Sequence, residues 1–291
     1  MAEFRITGCG SLSEALEIMN SAEGRVSLVA GGTDFVRKMR NEGIDCGLIL
    51  DISQAADMRY ILEEHGCIRI GACTSFAEIA SSALLREKAA CLAQAASQVG
   101  SVQIRNRATI GGNIASGSPA ADSLPPLTVL HATAELMVRK PGFPCEPQEM
   151  PVHICSSRLH DEGIITEIRF PAPPPHCRTG FVKLGSRTAV SIARLSMAMR
   201  VHYNAQANEI EEGLIALGAL GEDPVCPDDL QEFLSGKRVD RSFAEQLIHR
   251  LTEVVDGAIP GRESRPYKRV AVGGLAVEML QNLFSISLDP G

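Results

Sequence analysis

Tryptophan is absent from this chain and aromatic residues make up only 4% of it. Base-stacking platforms of the kind that single-stranded nucleic acids need are therefore not its theme. A surplus of positive charge is missing too: 28 basic against 35 acidic residues leave a net charge of -7. Such a chain has no overall pull toward nucleic acid or an anionic membrane. No apolar run reaches membrane-spanning length before charge or glycine breaks it. The opening MAEFRITGCG lacks the basic-then-apolar order of a secretory signal. A cytoplasmic protein with no membrane partner is the expectation. No C-x-x-C pair occurs among the nine cysteines, at positions 9, 46, 67, 73, 91, 145, 155, 177 and 226. Their odd number and scattered spacing argue against a disulfide framework or a zinc site. They read as small buried apolar residues, and an iron–sulfur site would need a tighter set of thiolates.

What is present suits a soluble globular chain with a sizeable core. Hydrophobic residues make up 45% and charged residues 22% of 291 residues, a length that suggests two domains. Ser11 and Glu14 are spaced as a capping box, with Leu12, Ala15, Leu16 and Met19 on one helical face. Residues 25–30 and 47–53 read as strands around a Gly31-Gly32 turn and a short helix from Thr33 or Asp34. A hairpin is expected around His65-Gly66, and Ser75 with Glu78 forms a second capping box. Residues 84–99, alanine-rich and free of glycine and proline, predict one helix. Residues 103–122, QIRNRATIGGNIASGSPAAD, read as a loop, followed by a short helix from Asp122. AELMVRK and GIITEIRFP read as strands, and the proline-dense PAPPPHC (171–177) as a stiff connector. Beyond it three strands precede three helices. The fold class expected is α+β: an N-terminal lobe over 1–172, with α/β subdomains at 1–55 and 56–172, then a C-terminal lobe over 173–291 of antiparallel sheet plus three helices.

Two glycine pairs stand out as candidate sites. In VAGGTD a strand ends, two glycines turn the chain and a helix follows; glycine lets a backbone approach a ligand closely, and N–H groups at a helix start suit a phosphate. ATIGGN repeats the pattern after a second apolar run. Neither is G-x-G-x-x-G or a Walker loop, and either alone is more simply a tight turn. Two such loops in one lobe could hold a diphosphate from both sides.

AGGTD, RIGACTSFAEI and QIRNRATIGGNIASGSPAAD, in this order, resemble the FAD-binding subunit of the molybdenum hydroxylases, the xanthine dehydrogenase and carbon monoxide dehydrogenase family. FVKLGSRTAVSIA and SRPYKRVAVGGL resemble that family's C-terminal flavoprotein domain, so the likeness covers nearly the whole chain. The resemblance implies that Val29, Ala30, Gly31, Gly32, Thr33, Asp34, Phe35 and Val36 wrap the FAD pyrophosphate, largely through backbone N–H groups. It implies that Thr109, Ile110, Gly111, Gly112 and Asn113 form the second pyrophosphate and ribityl loop. Val99, Asp122, Ile165 and Lys183 match further cofactor-contacting positions. Taken singly, Asp122 is more simply a helix N-cap, Lys183 a solvated strand residue, Arg105 and Arg107 surface charges, and Val99 and Ile165 core. Ser191 departs from an aspartate that the family often carries. The interval that holds a [4Fe-4S] cluster in one branch has only Cys145 and Cys155 here, so no cluster is expected.

The implied role is FAD-based electron transfer, with no acid, base, nucleophile or metal ligand in this chain. A large molybdopterin-binding subunit and a small [2Fe-2S] subunit would supply the electrons, and NAD+ or another acceptor would take them. The rivals are a stand-alone FAD-dependent oxidase or dehydrogenase, for which no histidine lies beside a Gly-Gly turn, and a flavin-free assembly subunit, against which both loops stand intact.

Overall fold

The computed structural model describes residues 4–43, 47–140, 143–152, 163–187 and 190–284. They form two compact units. The first comprises Met1–Ile79, Ser101–Ser118 and His131–Ala172; the second comprises Ala80–Gly100, Pro119–Leu130 and Pro173–Gly291. Among the described residues no helix is long and apolar enough to cross a membrane.

The first unit opens with a three-stranded parallel sheet in the order β1-β3-β2, from β1 (Arg5–Gly8), β2 (Val26–Val29) and β3 (Leu48–Asp51). Parallel neighbours need crossovers, and the helices Leu12–Ser21 and Phe35–Glu42 supply them. β3 is central, and its Leu48-Ile49-Leu50 run is buried, whereas Ile6 on the edge strand β1 is exposed. Ser11 caps its helix by accepting from the Glu14 N–H at 3.2 Å. Glu14 reaches back to the Gly10 N–H rather than to that of Ser11, so the expected box closes one residue early.

The second sheet of this unit is antiparallel, β4-β5-β8-β6-β7, with β4 (Ile61–Glu64), β5 (Cys67–Gly71), β6 (Thr133–Lys140), β7 (Phe143–Pro151) and β8 (Gly163–Pro171). His65 and Gly66, at φ of 51° and 75°, make the expected two-residue hairpin turn. β7 was not among the expected strands, and it carries Pro144, Pro147 and Pro151. They are tolerated because β7 is the sheet's edge, where a missing N–H breaks no outer ladder.

Residues 101–115 correct the loop reading. They hold two short helices, Val102–Arg105 and Ile110–Ala115, capped by the hydroxyls of Ser101 and Thr109. A ladder of backbone bonds fixes the second helix: Phe76 N–H to Ala108 O, Ile110 N–H to Thr74 O and Gly111 N–H to Ala72 O, at 3.0, 3.1 and 2.9 Å. Ala72 in turn donates to Thr166 O of β8 at 3.0 Å.

The second unit is built on the antiparallel sheet β12-β11-β10-β9, from β9 (Cys177–Gly185), β10 (Ala193–Asn204), β11 (Glu209–Gly218) and β12 (Lys237–Arg238). The helices Asp228–Leu234, Arg241–Ala258 and Arg265–Phe284 follow as expected. Met197, Met199, Leu217, Leu247, Leu251, Met279 and Leu280 share the core between sheet and helices. The alanine-rich stretch is not one helix. It breaks at Ala89 (φ -138°, ψ 54°) into Ala83–Lys88 and Ala90–Ser97. Ala89 is fully buried, so packing selects a conformation that its helix propensity opposes. The second piece covers the edge of β9: Gln94 Oε1 accepts from Phe181 N–H at 2.8 Å, and Cys91 N–H donates to Thr179 Oγ1 at 3.2 Å. Cys46 and Cys155 lie outside the described residues.

Two glycines of the first unit are set by close approach. A Cβ on Gly111 would lie 2.7 Å from the Ala72 Cβ, and one on Gly31 would lie 1.9 Å from the carbonyl oxygen of Arg107. Backbone cannot swing aside as a side-chain tip can. Gly31→Ala is therefore expected to cost about 1–3 kcal/mol in a denaturant titration, the usual range for overpacking. Gly274→Ala, in an exposed helical position with nothing within 4 Å of the new Cβ, is expected to be neutral or to stabilise by up to about 1 kcal/mol.

Candidate functional site: two glycine loops and a buried ion pair

The first loop leaves β2 at Val29 and turns at Gly32, whose φ of 74° is a conformation glycine adopts without strain. Asp34 takes the N-cap position of the helix Phe35–Glu42 with αR backbone and makes no side-chain cap. Its carboxylate lies 3.5 Å from Arg37 instead, both groups exposed. The N–H groups of Gly31, Gly32, Thr33, Asp34 and Phe35 have no acceptor among the described residues. Only at Val36 does the helical ladder begin, with a 3.1 Å bond to Gly32 O. Five successive unspent donors at a helix start carry partial positive charge, which suits a phosphate. Gly31, Gly32, Thr33 and Val36 line an open cleft of about 620 Å³, together with Gln103, Ile104 and Arg107 from the other glycine segment and with Arg37 and Arg40.

The second loop is wired differently. Thr109 Oγ1 accepts from Gly112 N–H at 3.2 Å, and Asn113 N–H donates to Thr109 O at 2.9 Å. With Ile110 and Gly111 bonded to Thr74 and Ala72, the first-turn donors of this helix are already committed within the protein. Thr109, Ile110 and Gly111 are buried. The structure brings the two loops together, since Gly31 lies directly on the backbone of Arg107 and Ala108. Ile165 is buried beside a bulge in the β6–β8 ladder, where the register slips between Glu135 and Leu136. Its neighbour Thr166 provides the carbonyl that anchors Ala72.

The other three expected site residues belong to the second unit, and the structure brings them together there. Lys183, on β9, donates to Asp122 Oδ2 at 2.6 Å and to Gln98 O, next to Val99, at 3.1 Å. The Lys183 and Asp122 side chains are only 5% and 7% exposed. Two simple readings fall here. Lys183 is not a solvated strand residue, and Asp122 is not the cap of the helix Leu124–Val129, whose N-cap position is Ser123. Burial pushes the Asp122 carboxyl up to about 6, against the lowering effect of Lys183. The second carboxylate oxygen, Oδ1, is buried and has no partner among the described residues.

Sequence reasoning missed a second buried carboxylate. Glu167 Oε2 on β8 accepts from the Tyr60 hydroxyl and from Arg69 Nε at 2.8 Å, and Arg69 also pairs with Glu64 at 2.6 Å. Burial and the Glu167 carboxylate push the Tyr60 hydroxyl well above its ordinary range. Residues this far apart along the chain carry no local signal for such a cluster. Ser191 donates to the Arg187 carbonyl at 3.1 Å. Burial pushes the Cys73 and Cys91 thiols up to about 12, which makes them inert rather than nucleophilic. Among the described residues no group of three or more His, Cys, Asp or Glu could hold a metal ion.

The chain is similar to known proteins along most of its length. The family described as the FAD binding domain in molybdopterin dehydrogenase matches residues 2–173, and the CO dehydrogenase flavoprotein C-terminal domain matches residues 181–283. The nicotinate dehydrogenase FAD-subunit of Eubacterium barkeri is 28% identical over 97% of this chain and 98% of its own. The xanthine dehydrogenase FAD-binding subunit of Escherichia coli O157:H7 is 28% identical over 89% of this chain and 88% of its own. Among solved structures, carbon monoxide dehydrogenase from Hydrogenophaga pseudoflava shares the fold, with a TM-score of 0.81, 21% identity and 98% coverage of both chains. With more than half of its length matched by the first model and most of the rest by the second, the chain belongs to the family of FAD-binding subunits of molybdopterin dehydrogenases, the flavoprotein components of these oxidoreductases.

Proposed function

We propose that this chain passes electrons from the [2Fe-2S] clusters of a small partner subunit to NAD+ or another acceptor. In this reading a large molybdopterin-binding subunit oxidises the substrate, and the complex works in the cytoplasm. Residues 1–172 act as the FAD-binding domain and 173–291 as the flavoprotein C-terminal domain. FAD, when bound, supplies the redox chemistry, since a flavin handles one or two electrons.

The observation that carries the reading is the run of five unspent N–H donors from Gly31 to Phe35. They fit a pyrophosphate without any titratable group. The second loop contributes rigidity: its committed donors hold Thr109–Asn113 against residues 72–74, so the surface that Gly31 packs on does not yield. The orphaned Asp122 Oδ1 fits a hydroxyl donor, as a ribityl chain would offer. Val29, Ala30, Val36, Val99, Ile165 and Lys183 complete the proposed set. No acid–base residue is assigned, and the chain's work is to bind, orient and shield the cofactor.

Flavin released by acid from the purified chain and separated by chromatography should be FAD at about one per chain. A chain that takes up no FAD, alone or with its iron–sulfur and molybdenum partners, overturns the reading. Co-purification of those partners checks the assembly, and reduction of NAD+ against artificial dyes checks the acceptor. Lys183→Met should cost about 3–5 kcal/mol at pH 8, the usual result of stranding a buried charge. Asp122 starts with a folded-state pKa of about 6, above its ordinary 3.8, and loses its Lys183 partner, so its pKa rises further. Its contribution to stability is full below the unfolded value and is lost as pH rises through the folded one. The deficit of the variant should therefore shrink toward pH 5, as denaturation midpoints at the two pH values would show.

A further inference from the structure

Three guanidinium groups line the first-loop cleft: Arg37 and Arg40 from the helix that follows the loop, and Arg107 from the segment on which Gly31 packs. No Asp or Glu lines it among the described residues. Arg37 is partly answered by Asp34. Arg40 and Arg107 are exposed and have no ion-pair partner among the described residues. A chain with a net charge of -7 thus concentrates uncompensated positive charge beside its five free backbone donors. Unpaired arginines at random surface positions would need no explanation, but two from segments about 65 residues apart in sequence, meeting at one donor-rich cleft, call for an anion.

We infer that Arg40 and Arg107 form a charged clamp on the pyrophosphate of the dinucleotide, outside the backbone cradle and across its open side. The inference rests on the FAD reading and extends it from the loops to side chains. Two groups from different segments lining one cleft can each take one phosphoryl group, with the forked geometry that guanidinium offers to phosphate oxygens. Because both side chains are exposed, their attraction acts through water and is screened by salt. Loading of the cofactor should then depend on ionic strength, and a ligand with two linked phosphates should be preferred to a single phosphate.

The test uses the full chain stripped of flavin and titrated with FAD by fluorescence, with inorganic pyrophosphate and orthophosphate as competitors. Arg40→Gln and Arg107→Gln are each expected to weaken FAD binding roughly five- to tenfold at an ionic strength of about 0.05 M, and less than about twofold at 0.5 M. Pyrophosphate should displace FAD from the wild type far better than orthophosphate does, and this preference should fall in both variants. Arg40→Lys and Arg107→Lys should recover part of the affinity by keeping the charge. Arg241→Gln, a change to an exposed helix residue paired with Glu245, is the control and should leave binding unchanged. Melting curves read alongside establish that each variant is folded. Wild-type chain that binds FAD while both glutamine variants match it in affinity and salt dependence overturns the clamp and leaves the FAD reading standing. Wild-type chain that takes up no FAD overturns both.

Discussion

Everything proposed for the first unit depends on one line of backbone hydrogen bonds. Thr166 O on β8 accepts from Ala72, Ala72 O accepts from Gly111, and Thr74 O accepts from Ile110. This line transfers the rigidity of a five-stranded sheet to a six-residue helix that would be marginal alone. It works only because Gly111 lacks a Cβ where Ala72 sits. The same short helix then fixes the segment carrying Arg107 and Ala108, against which Gly31 lies. A sheet bond thus ends by shaping a loop that is not part of the sheet.

The two Gly-Gly pairs look alike in sequence and are hydrogen-bonded in opposite ways. In one, the N–H groups from Gly31 to Phe35 are left unspent; in the other, those of Ile110, Gly111 and Gly112 are consumed by Thr74, Ala72 and Thr109. Buried donors must be paired with something, so a protected second loop and an open first loop are complementary solutions. The second loop spends its donors internally and is stiff, whereas under the proposed function the first loop keeps its donors for a phosphate. Only hydrogen-bond partners distinguish the two, and partners lie far away along the chain.

That limit explains what the sequence made legible. Local rules worked where local chemistry decides: the His65-Gly66 turn, the Ser75–Glu78 box and the long helices after residue 227 formed where expected. They failed where tertiary context decides. Helix propensity ran through Ala89, yet burial forces a break there. No strand was read over 143–151, where three prolines lie, yet an edge position accommodates β7 there. Glycine and small residues suggested a loop over 103–122, yet the Thr109 cap and the ladder to 72–74 turn part of it into helix. The glycine loops were readable as candidates from residue type and spacing, whereas Arg107 read as a surface charge, and the fold sets it in one cleft with Arg37 and Arg40.

The Asp122–Lys183 pair poses an energetic question that packing alone does not answer. Two side chains 61 positions apart give up nearly all contact with water to meet at 2.6 Å. A buried pair of this kind is weak support for stability, because desolvation consumes most of the Coulombic gain and a well-packed apolar pair often serves as well. The carboxyl's raised pKa expresses that cost directly, since burial outweighs the neighbouring ammonium. Stability therefore does not account for the pair, and one oxygen of Asp122 is still left over. The Asp122 carboxyl is paired on one oxygen with Lys183 of β9 and is unsatisfied on the other among the described residues. That state fits the proposed function, in which the remaining partner is a donor brought by FAD.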